Sequence, residues 1–146
     1  MKMFKNSFWG IMKKADWEHE DSQNILEPVI TFLSNHDDKY IFAFHDVMSQ
    51  LLYNIDREEI AQPMIDDGSY NDDDFLYQRC FALTNGNKFY HDIVDGIKEL
   101  DGDFQFKPLL NIPKKAWAKR NNTTMIDYPH TPKYPIQSKS NKKYWS

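Results

Sequence analysis

The 146-residue sequence has one cysteine, five glycines and no long apolar run. A lone cysteine cannot form an internal disulfide, and by itself it specifies no zinc site. The first twenty residues contain no sustained apolar stretch, so they predict neither a secretion signal nor a membrane span. We therefore expect a cytoplasmic protein that does not contact membranes. The abundance of Asn, Lys, Asp, Ile and Tyr fits a bacterium with an AT-rich genome.

The sequence also lacks the motifs of common catalytic sites. It has no Gly-rich phosphate loop, no Gly-x-Ser-x-Gly turn and no His-Glu-x-x-His zinc motif. The acidic residues around Gly68 do not follow the spacing of a calcium loop. His45-Asp46 and His91-Asp92 are adjacent pairs, and adjacent side chains do not face each other on a helix. We predict no catalytic residue, no metal and no cofactor.

Charge is unevenly distributed in a chain whose net charge is −4. Residues 112–146 contain eight Lys and Arg against one Asp, a net charge of +7, which leaves −11 for the rest. The two parts either attract each other or are simply solvated, or the acidic body faces a cationic partner. Because that body repels a phosphate backbone, we do not expect nucleic acid to bind, although aromatic residues alternate with cations in the C-terminal part.

Apolar spacing predicts helices along most of the chain. The clearest helix runs from about Asp38 to Asn54. Further helices are predicted at residues 7–16, after the Asp21-Ser22 cap, at residues 57–65 and at two places after Asn71. Phe104 and Phe106 alternate with polar residues and predict a short strand.

The strongest local signals lie in residues 64–97. Gly68 can adopt the left-handed conformation that ends a helix. Asn71, Asp72 and Asp73 start the next helix, where a short acidic side chain can accept the free amide hydrogens of the first turn. Arg79 stands among apolar positions of that helix. We expect it to pair with a carboxylate, or its planar guanidinium to hold an anionic ligand. Cys80 is expected to be a small core residue.

Several of these residues follow the signature of a known family. Those that carry the likeness are Gly68, Asp72-Asp73-Asp74-Phe75, Tyr77, Arg79, Phe81, Leu83 and Gly86, with Phe8-Trp9 and Ile11 near the N-terminus. The pattern resembles the bacterial family named domain of unknown function 4240 over roughly residues 8–97. A Trp-Leu-Ile run of the family pattern reads Phe81-Ala82-Leu83 here. The resemblance implies a compact, mainly helical domain and no established activity.

Four of the seven prolines lie from residue 113 on, within a stretch rich in Tyr and Lys. Proline disfavours helix, and Tyr128-Pro129 and Tyr134-Pro135 predict extended backbone. Residues 112–120 predict one helical turn around Trp117. We expect the rest to lie over the domain, to fray or to bind a partner. In the last case the chain is a regulatory module that acts through this tail, and removal of residues 121–146 would leave the fold intact but abolish partner binding.

We therefore predict a single compact all-α domain of about five or six helices over residues 1–111, with an irregular Pro/Tyr/Lys-rich C-terminal extension over residues 112–146. For function we predict a non-catalytic cytoplasmic binding protein with a protein partner, in its most specific form an immunity protein that neutralises a cationic toxin. The alternative is a small-ligand protein or enzyme that uses Asp72, Asp73 and Arg79. The candidate binding residues are Asp66, Asp67, Asp72, Asp73, Tyr77, Arg79, Tyr128, Tyr134 and Trp145.

Overall fold

The computed structural model describes residues 1–146 and contains helices and connecting turns but no β-strand. The seven α-helices are α1 (Lys5–Met12), α2 (Ser22–Ser34), α3 (Asp38–Asn54), α4 (Glu58–Asp66), α5 (Asp72–Thr84), α6 (Gly86–Val94) and α7 (Ile112–Asn121). Three short 3₁₀ helices cover Lys107–Asn111, Met125–Asp127 and Lys142–Tyr144. The all-α class is confirmed. None of the helices combines the length and the apolar character needed to cross a bilayer.

The number of helices is seven, where the sequence predicted five or six. The additional helix is α7, which lies in the stretch predicted to be irregular apart from one turn. Pro113 stands in its first turn, where the missing amide hydrogen would have no helical partner in any case. Ile112, Ala116 and Trp117 are buried at helical spacing, so the helix is stabilised by packing.

Contacts divide the chain into two compact units. The first unit comprises residues 1–48 and 110–132, and the second comprises residues 49–109 and 133–146. The division falls within α3, and the C-terminal part of the chain contributes to both units.

In the first unit, α2 packs along α7 and contacts α1. Phe8 of α1 stacks on Phe44 of α3 with ring centroids 5.0 Å apart, and both side chains are fully buried. α1 ends at Met12, four residues before the predicted Asp16. The amide of Asp16 instead donates to the carbonyl of Ile25 in α2, so the loop after α1 folds back on that helix.

In the second unit, α5 packs against α6. Gly68 has a φ of +78° just beyond the end of α4, and the side chain of Asn71 accepts the amide of Asp74 at 2.9 Å. Both predicted helix boundaries are thus confirmed. The predicted strand at Phe104 and Phe106 is wrong. The amide of Phe106 donates to one carbonyl of α5, and no ladder of hydrogen bonds follows.

Candidate functional site

Residues 133–146 run along the second unit with only one short 3₁₀ helix. Tyr134, Ile136, Ser138 and Ser140 are half-buried, whereas the residues between them are exposed. Every second side chain of this stretch is thus partly covered, although a turn at residues 137–140 interrupts the chain. The last part of the chain therefore packs on the second unit.

Arg79 of α5 is fully buried and forms hydrogen bonds with this segment. Its Nη1 donates to the carbonyl of Leu52 at 3.0 Å. Its Nη2 donates to the carbonyl of Ile136 at 2.9 Å and to the hydroxyl of Ser138 at 3.0 Å. The guanidinium also lies 4.8 Å from the ring centroid of Phe75. Burial lowers the pKa of Arg79, and the negative charge of a nearby carboxylate opposes that shift.

That carboxylate belongs to Asp56, a residue of the loop after α3. Asp56 is also fully buried. Its two oxygens accept the amides of Lys139 and Asn141, each at 3.0 Å, and Oδ1 accepts the indole Nε1–H of Trp145 at 3.1 Å. Asp56 and Arg79, called here the clamp, thus satisfy their opposite charges largely through residues 136–145. Two buried charges that depend on this segment make it part of the fold.

We expected Arg79 to pair with a carboxylate, but its hydrogen-bond partners are two carbonyls and a hydroxyl. Asp72 contacts the C-terminal segment through its backbone, because its carbonyl accepts a hydrogen bond from the hydroxyl of Ser138 at 2.7 Å. Its carboxylate accepts the hydroxyl of Tyr70 at 2.7 Å and lies 3.7 Å from the Nζ of Lys139. Nη1 and Nη2 of Arg79 are therefore engaged within the fold, whereas its buried Nε has no hydrogen-bond partner.

A second feature is a groove between α4 and the end of α6, here called the acidic groove. Its volume is about 460 Å³. The apolar lining consists of Ile60, Pro63, Ile93, Val94 and Leu100. The acidic lining consists of Glu59, Asp66, Asp95 and Glu99, which are all exposed, and Lys98 is the basic residue of the lining. Because Ile60, Ile93 and Leu100 are buried, the accessible lining of the acidic groove is mainly charged, with a net negative charge.

The candidate residues fall into several places. Asp72, Arg79 and Trp145 are brought together at the segment, and Asp66 lies in the acidic groove. Tyr77 is half-buried on α5 under the Nζ of Lys107, which lies 5.3 Å from its ring centroid.

The other candidates are dispersed. Asp67 accepts the hydroxyl and the amide of Ser69, and these bonds lower its pKa. Asp73 is exposed in the first turn of α5. Tyr134 lies beside Tyr53, with ring centroids 5.4 Å apart.

Tyr128 lies in the first unit, in a cluster that no local sequence pattern predicts. Its hydroxyl is 2.9 Å from the Nδ1 of His45, and the Nε2 of His130 is 2.7 Å from Asp46. The ring of His130 stacks on Phe42 with centroids 4.7 Å apart. Burial lowers the pKa of His45 to about 4, with a smaller contribution from the positive charge of His130. These contacts fix residues 128–130 on α3.

No group of three or more His, Cys, Asp or Glu side chains is placed to hold a metal ion. Comparison with known proteins gave one family. The model described as Protein of unknown function (DUF4240) matches residues 3–119. No curated protein and no solved structure matches the chain. The matched region includes both clamp residues and ends before the segment that they hold.

Proposed function

This chain belongs to the DUF4240 family, and we propose that it is a non-catalytic binding protein whose partner is a cationic protein. The single observation that carries the proposal is the acidic groove. Its rim supplies exposed carboxylates, and Pro63 and Val94 of its lining are half-buried, so they leave a small apolar area that a partner can cover.

The charge of the two units supports the same conclusion. The second unit holds thirteen Asp and Glu against nine Lys and Arg, whereas the first unit holds nine of each. The net charge of −4 therefore lies entirely in the unit that contains the acidic groove. A one-signed surface speeds the encounter with an oppositely charged partner and disfavours others.

The carboxylates of the acidic groove are only partly neutralised within the chain. Glu59 lies 3.6 Å from Arg57, and both groups reach solvent. Asp66 accepts a hydrogen bond from the neutral amide of Gln62 at 2.7 Å. No ion pair is formed by Asp95 or Glu99. Most of this charge is free to interact with a partner.

In its most specific form, the proposal is that the chain is an immunity protein and that the partner is a cationic toxin. An acidic inhibitor suits a toxin that cleaves nucleic acid, because it presents the charge of the toxin's substrate. The alternative, a small-ligand protein or enzyme that uses Asp72, Asp73 and Arg79, has weaker support. The guanidinium of Arg79 is fully buried, and its Nη1 and Nη2 bind acceptors of the chain itself.

The test is affinity capture from the native host with the tagged full-length chain. The first variant combines Asp95→Lys and Glu99→Lys in the acidic groove. The matched control combines Glu18→Lys and Glu20→Lys, which makes the same charge change at exposed positions of the first unit. We expect one stoichiometric basic protein with the wild type and the control, and its loss with the groove variant.

The proposal that the chain is an immunity protein is tested by producing the captured protein in cells, where it should stop growth. The wild-type chain should restore growth, and the groove variant should not. Equal capture by the groove variant would contradict the proposed surface, and absence of any stoichiometric partner would contradict the proposed function.

A further inference from the structure

Four aromatic side chains of the second unit are half-buried or exposed. They are Tyr77, Phe81, Phe89 and Phe104, called here the aromatic cluster. Phe104 is 52% exposed, and its ring stacks on Phe81 with centroids 5.2 Å apart. The ring of Phe81 contacts the ring of Phe89 edge to face, with centroids 6.2 Å apart. Tyr77 lies one turn before Phe81 on the same side of α5. Aromatic residues are enriched in binding interfaces.

The chain itself connects the aromatic cluster with the acidic groove. Lys98 lines the groove, and its Nζ lies 5.3 Å from the ring centroid of Phe89. Glu99 also lines the groove, and the turn that presents Phe104 follows directly, with its amide bonded to the carbonyl of Asp101 at 3.0 Å. The carboxylates of Asp101 and Asp103 are exposed on this turn. Phe104 is therefore preceded in the chain by two exposed carboxylates.

Two of the rings already have a lysine ammonium group of the same chain over their faces. Lys98 covers Phe89, and Lys107 covers Tyr77, in each case with Nζ 5.3 Å from the centroid. Both lysines are exposed, and a cation–π contact at an exposed site is weak. An arginine stacks its planar guanidinium on an aromatic face and is less strongly hydrated than an ammonium group. An arginine side chain should therefore stack on these rings more favourably than the two lysines do.

We propose that arginine side chains of the partner stack on the aromatic cluster, displace Lys98 and Lys107, and are attracted there by the adjoining carboxylates. The partner is then an arginine-presenting protein and not merely a basic one. This inference rests on the proposed function, because it specifies the chemistry of the same cationic partner.

The test compares nona-arginine and nona-lysine peptides, which carry the same charge. Fluorescence anisotropy measures their Kd for the full-length chain at physiological ionic strength. We expect nona-arginine to bind about fivefold more tightly. Phe104→Leu keeps an apolar side chain but removes the exposed ring, so it should reduce this ratio towards one. Phe4→Leu is the matched control, because Phe4 is 74% exposed and lies in the first unit, and it should leave the ratio unchanged.

A second variant tests the displacement of Lys98. Lys98→Gln uncovers Phe89 and removes the positive charge from the acidic groove, so nona-arginine should bind about threefold more tightly. Lys2→Gln removes one exposed charge from the first unit and should have little effect.

The two proposals fail in different ways. Equal affinity for both peptides, abolished by the groove variant Asp95→Lys with Glu99→Lys, would overturn the arginine inference and leave the acidic groove in place. Binding of neither peptide, or binding unchanged in the groove variant, would overturn both.

Discussion

Replacing Arg79 by methionine should strongly destabilise the second unit. Methionine retains much of the aliphatic stem but removes the guanidinium, and with it three hydrogen bonds of 2.9 to 3.0 Å. The buried carbonyl of Leu52 and the partly buried carbonyl of Ile136 lose their charged donor, and Asp56 loses the nearby positive charge.

The magnitude follows from these groups. A hydrogen bond to a charged group contributes about 1.5–3 kcal/mol, and the gain is offset in part by the cost of desolvating the guanidinium. Removing one member of a buried charged set costs about 3–5 kcal/mol, which we expect for Arg79→Met. Arg79→Lys should recover only part of this loss, because one ammonium group lacks the fork that reaches both carbonyls.

Urea unfolding measures the loss in the free energy of unfolding, and hydrogen exchange locates it. The amides of Lys139 and Asn141, which bind Asp56, should exchange faster in Arg79→Met. Arg120→Met is the matched control, because its only ion pair, with Asp38 at 3.5 Å, is at the surface and should cost less than about 1 kcal/mol. A loss below about 1 kcal/mol for Arg79→Met, or unchanged exchange at both amides, would refute the role assigned to Arg79.

Four further predictions concern stability and reactivity. A chain lacking residues 133–146 leaves the clamp without its main partners, so circular dichroism should show loss of helix and not an intact fold. The pKa of His45 is lowered from 6.5 to about 4, so as the pH falls the unfolded chain protonates His45 before the folded chain does. The free energy of unfolding should therefore decrease by up to about 3 kcal/mol as the pH is lowered from 6.5 to 4. In urea titrations His45→Gln should make the free energy of unfolding less dependent on pH over this range. Gly68→Ala, at a φ of +78°, should cost about 1 kcal/mol in thermal unfolding, whereas Gly10→Ala within α1 should be neutral or stabilising. Burial raises the pKa of Cys80 to about 12, so a thiol reagent should react with it only at the rate of unfolding.

Features that depend on neighbouring residues could be predicted from the sequence. α3 has the predicted bounds, because a long stripe of apolar residues between Asp38 and Asn54 leaves little choice. Gly68 and Asn71 act at the ends of α4 and α5 through their own backbone and side chain. Cys80 is buried as expected on an apolar part of α5.

Features that depend on distant residues could not be predicted. Arg79 binds a carbonyl 57 residues away, and no pattern in its own helix identifies a neutral partner. Asp56 has no sequence signal at all, although its carboxylate binds three groups of the C-terminal segment. Tyr128 was proposed as a contact residue for a partner, but its hydroxyl contacts His45 within the first unit.

An NMR titration of the full-length chain with nona-arginine tests the proposed surface most directly, because it shows where a cationic ligand binds. We expect amide shifts to concentrate in residues 59–66, 77–89 and 93–104, which contain the acidic groove, the rings of Tyr77, Phe81 and Phe89, and the turn of Phe104. We expect little change in residues 1–48. Shifts spread evenly over both units, or centred away from the acidic groove, would contradict the claim that this chain presents a dedicated surface to a cationic partner.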